Sequence, residues 1–141
     1  MKVLFVCTGN TCRSPMAEGM YNAKAAALGL EPAESAGIFA VPGDPVTPNA
    51  VTAAAEYGAD ISGHTARLVT AELLAACDRI YCMTPSHLAA LAARFPDCAA
   101  KCRLLSEQGI PDPYGGDPDC YRRTAAAIAA ALDAVLREAQ A

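Results

Sequence analysis

The chain has 141 residues, a formal net charge of −4 and seven cysteines. That length suits one domain and buries enough surface to fold without staples or a partner, so residues 1–141 are expected to form a single domain and a monomer. Mild acidity without blocks of like charge disfavours nucleic acid and anionic membranes. The longest early apolar run, Val3–Val6, is too short for a signal peptide or a membrane span, so the cysteines are expected as free thiols in a reducing cytoplasm.

Lys2–Val6 is a continuous β-prone run, as in a strand buried on both faces of a parallel sheet. Ser14 offers an N-cap hydroxyl and Pro15 a preset first helical turn. Met16, Met20, Ala23 and Ala27 fall on one helical face, and Gly29 supplies the stop. A short strand is predicted at Glu34–Ala36. Thr47-Pro48 opens a second helix that Gly58 closes, and Thr70 caps a short helix through Ala76. Arg79–Met83 reads as a third strand, and Thr84-Pro85 begins a helix ending near Phe95-Pro96. Cys102–Leu105 is a fourth strand. After a Gly/Pro/Asp-rich loop, Ile110–Asp119, a long helix spans about Tyr121–Glu138, with Ile128, Leu132, Val135 and Leu136 on its core face. Alternating strands and helices predict an α/β fold, a four-stranded parallel sheet with helices on both faces. Ligands in such folds bind beyond the carboxyl ends of the strands, which directs attention to the loop after the first strand.

That loop reads Cys7-Thr8-Gly9-Asn10-Thr11-Cys12-Arg13-Ser14. Gly9 and Asn10 tolerate positive φ, so the backbone can curl until successive N–H groups point inward. Amides gathered at the positive end of a helix make an anion site. Arg13 adds a planar fork that matches two phosphoryl oxygens. At the bottom of the cradle Cys7 is expected as thiolate, because helix N-termini and nearby cations favour the charged form. These parts suit a nucleophile for phosphoryl transfer, with no metal or cofactor required. The spacing and lysine of a nucleotide P-loop are absent. In Pro111-Asp112-Pro113-Tyr114-Gly115-Gly116 a carboxylate stands between two prolines. Asp112 can protonate a leaving group and then activate water against a phosphocysteine.

V-C-T-G-N-T-C-R-S-P-M-A-E near the start, S-A-G at Ser35–Gly37, H-x-A-R at His64–Arg67, C-M-T at Cys82–Thr84 and D-P-Y-G-G at Asp112–Gly116 resemble the low-molecular-weight protein tyrosine phosphatases, in order and over nearly the whole chain. The resemblance implies a Rossmann-like fold with Cys7 as nucleophile, Arg13 and the loop Thr8–Ser14 as phosphate-binding groups, and Asp112 as acid and base. Ser14 would hydrogen-bond the thiolate, while Asn10, Ser35 and His64 would pin the loop. C-T-G-N-T-C-R-S is similar to the bacterial branch that removes phosphate from arginine. Tyrosine phosphatases usually carry Ile or Leu where this chain has Thr11, and a branched apolar group suits an aromatic ring. A guanidinium instead wants acceptors, which Thr11 and Asp112 offer. A single aromatic, Tyr114, makes a weaker slot for a phenol ring. Phosphoarginine in proteins is therefore the expected substrate, with phosphotyrosine as the alternative.

Cys12 lies in the same curled loop as Cys7, and the pair is expected to form a reversible disulfide under oxidation, as a similar pair in the family implies. Cys77, Cys82, Cys98, Cys102 and Cys120 lack the tight spacing of zinc ligands and are expected to be buried or incidental. The histidines, His64 and His87, are far apart in sequence and add nothing to a metal site. An arsenate reductase on a similar scaffold is one rival, with Cys77 and Cys82 as candidate relay thiols. A phosphate carrier holding phosphate on its loop cysteine is another, although it would need neither Arg13 nor Asp112.

Overall fold

The computed structural model describes residues 1–141, and its central sheet has four parallel strands in the order β2-β1-β3-β4. These are β1 (Val3–Cys7), β2 (Glu34–Gly37), β3 (Arg79–Cys82) and β4 (Cys102–Leu104). Five helices accompany them: α1 (Arg13–Ala25), α2 (Pro48–Ala55), α3 (Ala71–Ala76), α4 (Pro85–Arg94) and α5 (Pro118–Gln140). The unbroken apolar run of β1 is explained by its place in the sheet, between β2 and β3 and buried along its whole length.

Alternation along the strands divides the interior in two. Val3, Phe5, Cys7, Tyr81 and Met83 face a core closed by α1, α2 and α5, and the buried stripe of α5 includes Ile128, Leu132, Val135 and Leu136. Leu4, Val6, Ile80 and Cys82 face the opposite core, roofed by α3 and α4 through Leu74 and Leu91. Alanine allows close helix packing: Ala50, Ala53 and Ala54 of α2 and Ala125 of α5 are all buried on the first face.

Three of the five helix starts carry a side-chain cap, whereas α2, behind Thr47, and α1 do not. The Thr70 hydroxyl accepts from Leu73 N–H, Thr84 from His87 N–H, and the Asp117 carboxylate from Cys120 N–H. α5 therefore begins at Pro118, earlier than expected. Ser14 is not a cap. α1 begins at Arg13 after Cys12, without a side-chain cap, because the Ser14 hydroxyl is turned toward Cys7. The buried face of α1 also differs from expectation. Met16 and Met20 are in the core, but Ala17, Tyr21 and Ala25 complete it, while Ala23 and Ala27 are exposed. Tyr21 sets this rotation by packing edge-on against Phe5, with ring centroids 5.8 Å apart. The chain then tightens into a 3-10 turn, Ala26–Leu28, ended by Gly29 in the left-handed conformation. The strand ends differ by one residue from the sequence reading: β2 runs on to Gly37, and β3 and β4 stop at Cys82 and Leu104.

Gly37, at the end of β2, lies directly under the β1–α1 loop. A Cβ there would stand 2.5 Å from the Thr8 carbonyl oxygen and 3.0 Å from the Asn10 nitrogen, both backbone atoms. Gly37→Ala is expected to lower Tm by roughly 3–10 °C through overpacking. An unchanged Tm would show that the loop can retreat. The Tyr21 hydroxyl is the one buried side-chain polar atom without a hydrogen-bond partner. Removing it should relieve a desolvation cost, so Tyr21→Phe is expected to raise Tm by about 2–5 °C. A fall in Tm would mean that the hydroxyl finds a partner in solution.

Candidate active site

The β1–α1 loop closes on itself through Asn10. This is the one non-glycine residue with positive φ, at 56°, whereas Gly9, expected to share that role, does not use the left-handed region. In this conformation the Asn10 N–H donates to Cys7 Sγ at 3.3 Å, and the side-chain amide turns inward, fully buried. Its Nδ2 donates to Ser14 Oγ at 2.8 Å and to Ser35 Oγ at 3.0 Å. Its Oδ1 accepts from the Arg67 N–H at 3.0 Å and from His64 Nε2 at 3.1 Å. His64 Nε2 also lies 3.1 Å from the Asn10 carbonyl oxygen, so the ring carries its hydrogen on Nε2.

These contacts assign a direction to the neighbouring hydroxyls. Ser14 Oγ accepts from Asn10, which leaves its own hydrogen for Cys7 Sγ, 2.9 Å away. Ser35 likewise accepts from Asn10 and donates to Glu18 Oε1 at 2.7 Å. Ser14, Ser35 and His64 are thus brought together around Asn10, and Asn10 and Ser14 reach Cys7. Glu18 and the backbone of Arg67 complete the network. Glu18 was missed because its role depends on β2 lying beside α1, which local pattern does not reveal. Meanwhile the N–H groups of Gly9, Thr11, Cys12 and Arg13 have no acceptor within the chain. They form a set of unpaired donors at the N-terminus of α1, suited to an anion.

Arg13 is almost wholly buried. Its Nη1 donates to the Ile110 carbonyl at 2.8 Å, and its Nη2 lies 3.7 Å from Asp112 Oδ2. Through this one guanidinium the first loop and the Pro111–Gly116 loop are joined. Asp112 Oδ1 accepts from the Tyr114 N–H at 3.1 Å, which leaves Oδ2 toward Arg13. Together the two loops and the segment after β2 line an open cleft of about 270 Å³. Its floor is residues 7–9 and 11–13, and its rim is Phe39, Val41, Asp44, Asp112 and Tyr114. Phe39, Val41 and Tyr114 are 71%, 61% and 73% exposed, an apolar collar around a polar base. A P-G-D-P stretch, residues 42–45, marks a turn in the sequence, but only the fold brings it to the cleft.

Of the other thiols, Cys12 lines the same cleft as Cys7 and the remaining five do not. Cys12 is buried, its sulfur 3.5 Å from both the Thr47 and Tyr121 hydroxyls, and all seven cysteines are free. Cys77 and Cys82 belong to the core on the opposite side of the sheet from Cys7, and burial pushes the Cys77 thiol up. The relay needed by a reductase is therefore not assembled. Cys98 and Cys102 approach to 3.7 Å in that same far core, and no cluster of His, Cys, Asp or Glu is arranged to hold a metal ion.

His87 does belong to the site. Its Nε2 lies 2.7 Å from the Thr8 hydroxyl and its Nδ1 3.1 Å from that of Thr84, and the residue is buried. Sequence distance hid this contact: β3 delivers the start of α4 beside β1, so residues 8 and 87 meet. Burial, and then the Arg13 charge, lower its pKa to about 4, opposed by Asp112. The unfolded chain thus binds a proton here that the folded chain refuses. Stability from this group is present above pH ~6.5 and is lost as pH falls toward 4. We expect wild-type Tm to fall between pH 6.5 and 4.5 more steeply than that of His87→Gln. Parallel curves would show that His87 does not titrate in this way.

Comparison with known proteins agrees with this geometry. The family model for low molecular weight phosphotyrosine protein phosphatases matches residues 2–141. A protein-arginine-phosphatase of Bacillus subtilis is 38% identical over 131 residues, covering 88% of this chain and 87% of the relative. The structure of a YwlE mutant from Bacillus subtilis has a TM-score of 0.93 at 34% identity, covering 100% of this chain and 99% of that one. That of a low molecular weight protein tyrosine phosphatase from T. tengcongensis has a TM-score of 0.91 at 42% identity, covering 98% and 99%. The chain belongs to the low molecular weight phosphotyrosine protein phosphatase family and is accordingly a protein phosphatase.

Proposed function

We propose that this phosphatase hydrolyses phosphoarginine in proteins through a phosphocysteine formed on Cys7. The phosphoryl group enters the cradle, where the unpaired N–H groups of residues 9 and 11–13 and the Arg13 guanidinium receive its equatorial oxygens. Cys7 Sγ attacks phosphorus in line with the bond to the guanidinium nitrogen. As that bond breaks, Asp112 gives its proton to the departing nitrogen. The Ser14 hydroxyl and the Asn10 N–H both donate to the sulfur, which suits an atom that attacks and later leaves as an anion. In the second half, Asp112 accepts a proton from water as the water attacks phosphocysteine, releasing phosphate and the Cys7 sulfur.

The observation that carries the arginine reading is Thr11 in the cleft lining, a residue with a hydroxyl where a branched apolar side chain would suit an aromatic ring. Asp112, beside Arg13, offers a carboxylate to the same guanidinium. The name of the 38% identical relative, a protein-arginine-phosphatase, supports this reading. A second reading, phosphotyrosine, draws on the apolar collar of Phe39, Val41 and Tyr114, which would also receive a phenol ring.

Matched phosphoarginine and phosphotyrosine peptides separate the two. We expect reduced wild-type protein to give a kcat/KM at least about tenfold higher for phosphoarginine, a difference of ~1.4 kcal/mol in transition-state binding. Cys7→Ser should release no phosphate. Thr11→Ile should narrow or invert the preference. A wild-type preference for phosphotyrosine would overturn the arginine reading and leave a tyrosine phosphatase.

A further inference from the structure

Asp44 lies on the rim of the cleft, yet nothing in the chemistry above uses it. Its carboxylate forms no ion pair and no hydrogen bond within the chain, whereas Arg13 and Asp112, the other charged lining residues, face one another. Nor is it on a loose loop. The turn is closed by Asp44 N–H donating to Val41 C=O at 3.1 Å, and it is clamped to residues 64–66 from both sides. Gly43 N–H donates to Ala66 C=O at 2.9 Å, Ala66 N–H donates to Asp44 C=O at 2.8 Å, and Pro45 bridges to Thr65. Two residues on, Thr47 N–H donates to the carbonyl of Thr11 at 3.0 Å, tying this segment to the cradle itself. Asp44 is an unpaired carboxylate held ready beside an anion site.

Next to a bound phosphoryl group such a charge is unfavourable unless the substrate brings a cation or strong donors to meet it. A phenol brings neither. A guanidinium brings N–H donors in a planar fork that matches a carboxylate. We infer that Asp44 is a specificity-determining residue that accepts hydrogen bonds from the guanidinium of the substrate, across the cleft from Asp112. The inference rests on the phosphoarginine reading and deepens it. Asp44 takes no part in the bond changes at phosphorus; it acts on substrate affinity and on the choice between substrates.

Binding to Cys7→Ala protein tests this apart from turnover. Titration calorimetry would compare Cys7→Ala with Cys7→Ala/Asp44→Asn for three peptides: phosphoarginine and phosphotyrosine in the same neutral sequence, and phosphotyrosine flanked by lysines. Because Asp44 is exposed, we expect Asn at position 44 to weaken phosphoarginine binding about fivefold, an effect that shrinks at high salt, and to leave or tighten binding of the neutral phosphotyrosine peptide. In otherwise wild-type protein, Asp44→Asn should raise KM for phosphoarginine with kcat within about twofold. Equal changes for phosphoarginine and neutral phosphotyrosine, or none for phosphoarginine, would overturn the inference. A loss confined to the lysine-flanked peptide would assign Asp44 to neighbouring residues and overturn it too. Wild-type preference between the two neutral peptides tests the underlying reading separately.

Discussion

The structure of this site depends on one buried amide. Asn10 occupies a left-handed conformation that costs a non-glycine residue roughly 1–2 kcal/mol. It is held there by two donated and two accepted side-chain hydrogen bonds in a fully buried position. Each partner left unsatisfied would cost about 1–3 kcal/mol, so the hydrogen bonds outweigh the strain. Glycine would accept the backbone angle but make none of these bonds. From Asn10 the network reaches Cys7 by its own N–H and by Ser14, β2 by Ser35, and the segment after α2 by His64 and Arg67. The loop is therefore defined by side-chain chemistry as much as by backbone.

Electrostatic control of the cleft is similarly concentrated. Arg13 is its only cation, and it is shared between the Ile110 carbonyl and the Asp112 carboxylate. His87, a short hydrogen bond away from Thr8, adds no charge near neutral pH because burial and Arg13 disfavour protonation. The loop that carries Asp112 is consequently anchored through the same group that would receive the phosphoryl oxygens.

Much of this was legible in the sequence. The uninterrupted β1 run, the alternation of strands and helices and the Thr-Pro helix starts led to the observed α/β sheet, because each is a local signal that the fold reinforces. The Cys7–Ser14 loop was legible for the same reason: its geometry follows from residue types at fixed spacing. What could not be read depends on contacts between distant segments. Ser14 looks like a cap until Cys7 and Asn10 compete for its hydroxyl. Ala23 and Ala27 fit a helical face until Tyr21 claims the space against Phe5. His87, Glu18 and Asp44 acquire their places only when β3, β2 and the 41–47 segment are brought around β1.

The segment that supplies His64 and Arg67 also does something for the sheet. β2 is an edge strand, and its last residue is covered from outside: Gly37 N–H donates to Arg67 C=O, Val69 N–H donates to Gly37 C=O, and Gly37 bridges to Leu68. An uncovered parallel edge is a template for pairing with other chains. Here the strap that covers the end of that edge is the same backbone whose Arg67 N–H holds Asn10. Opening of that strap would free the Asn10 side chain and uncover the end of β2 together. Protection of the sheet edge and order in the Cys7–Ser14 loop thus depend on one stretch of backbone.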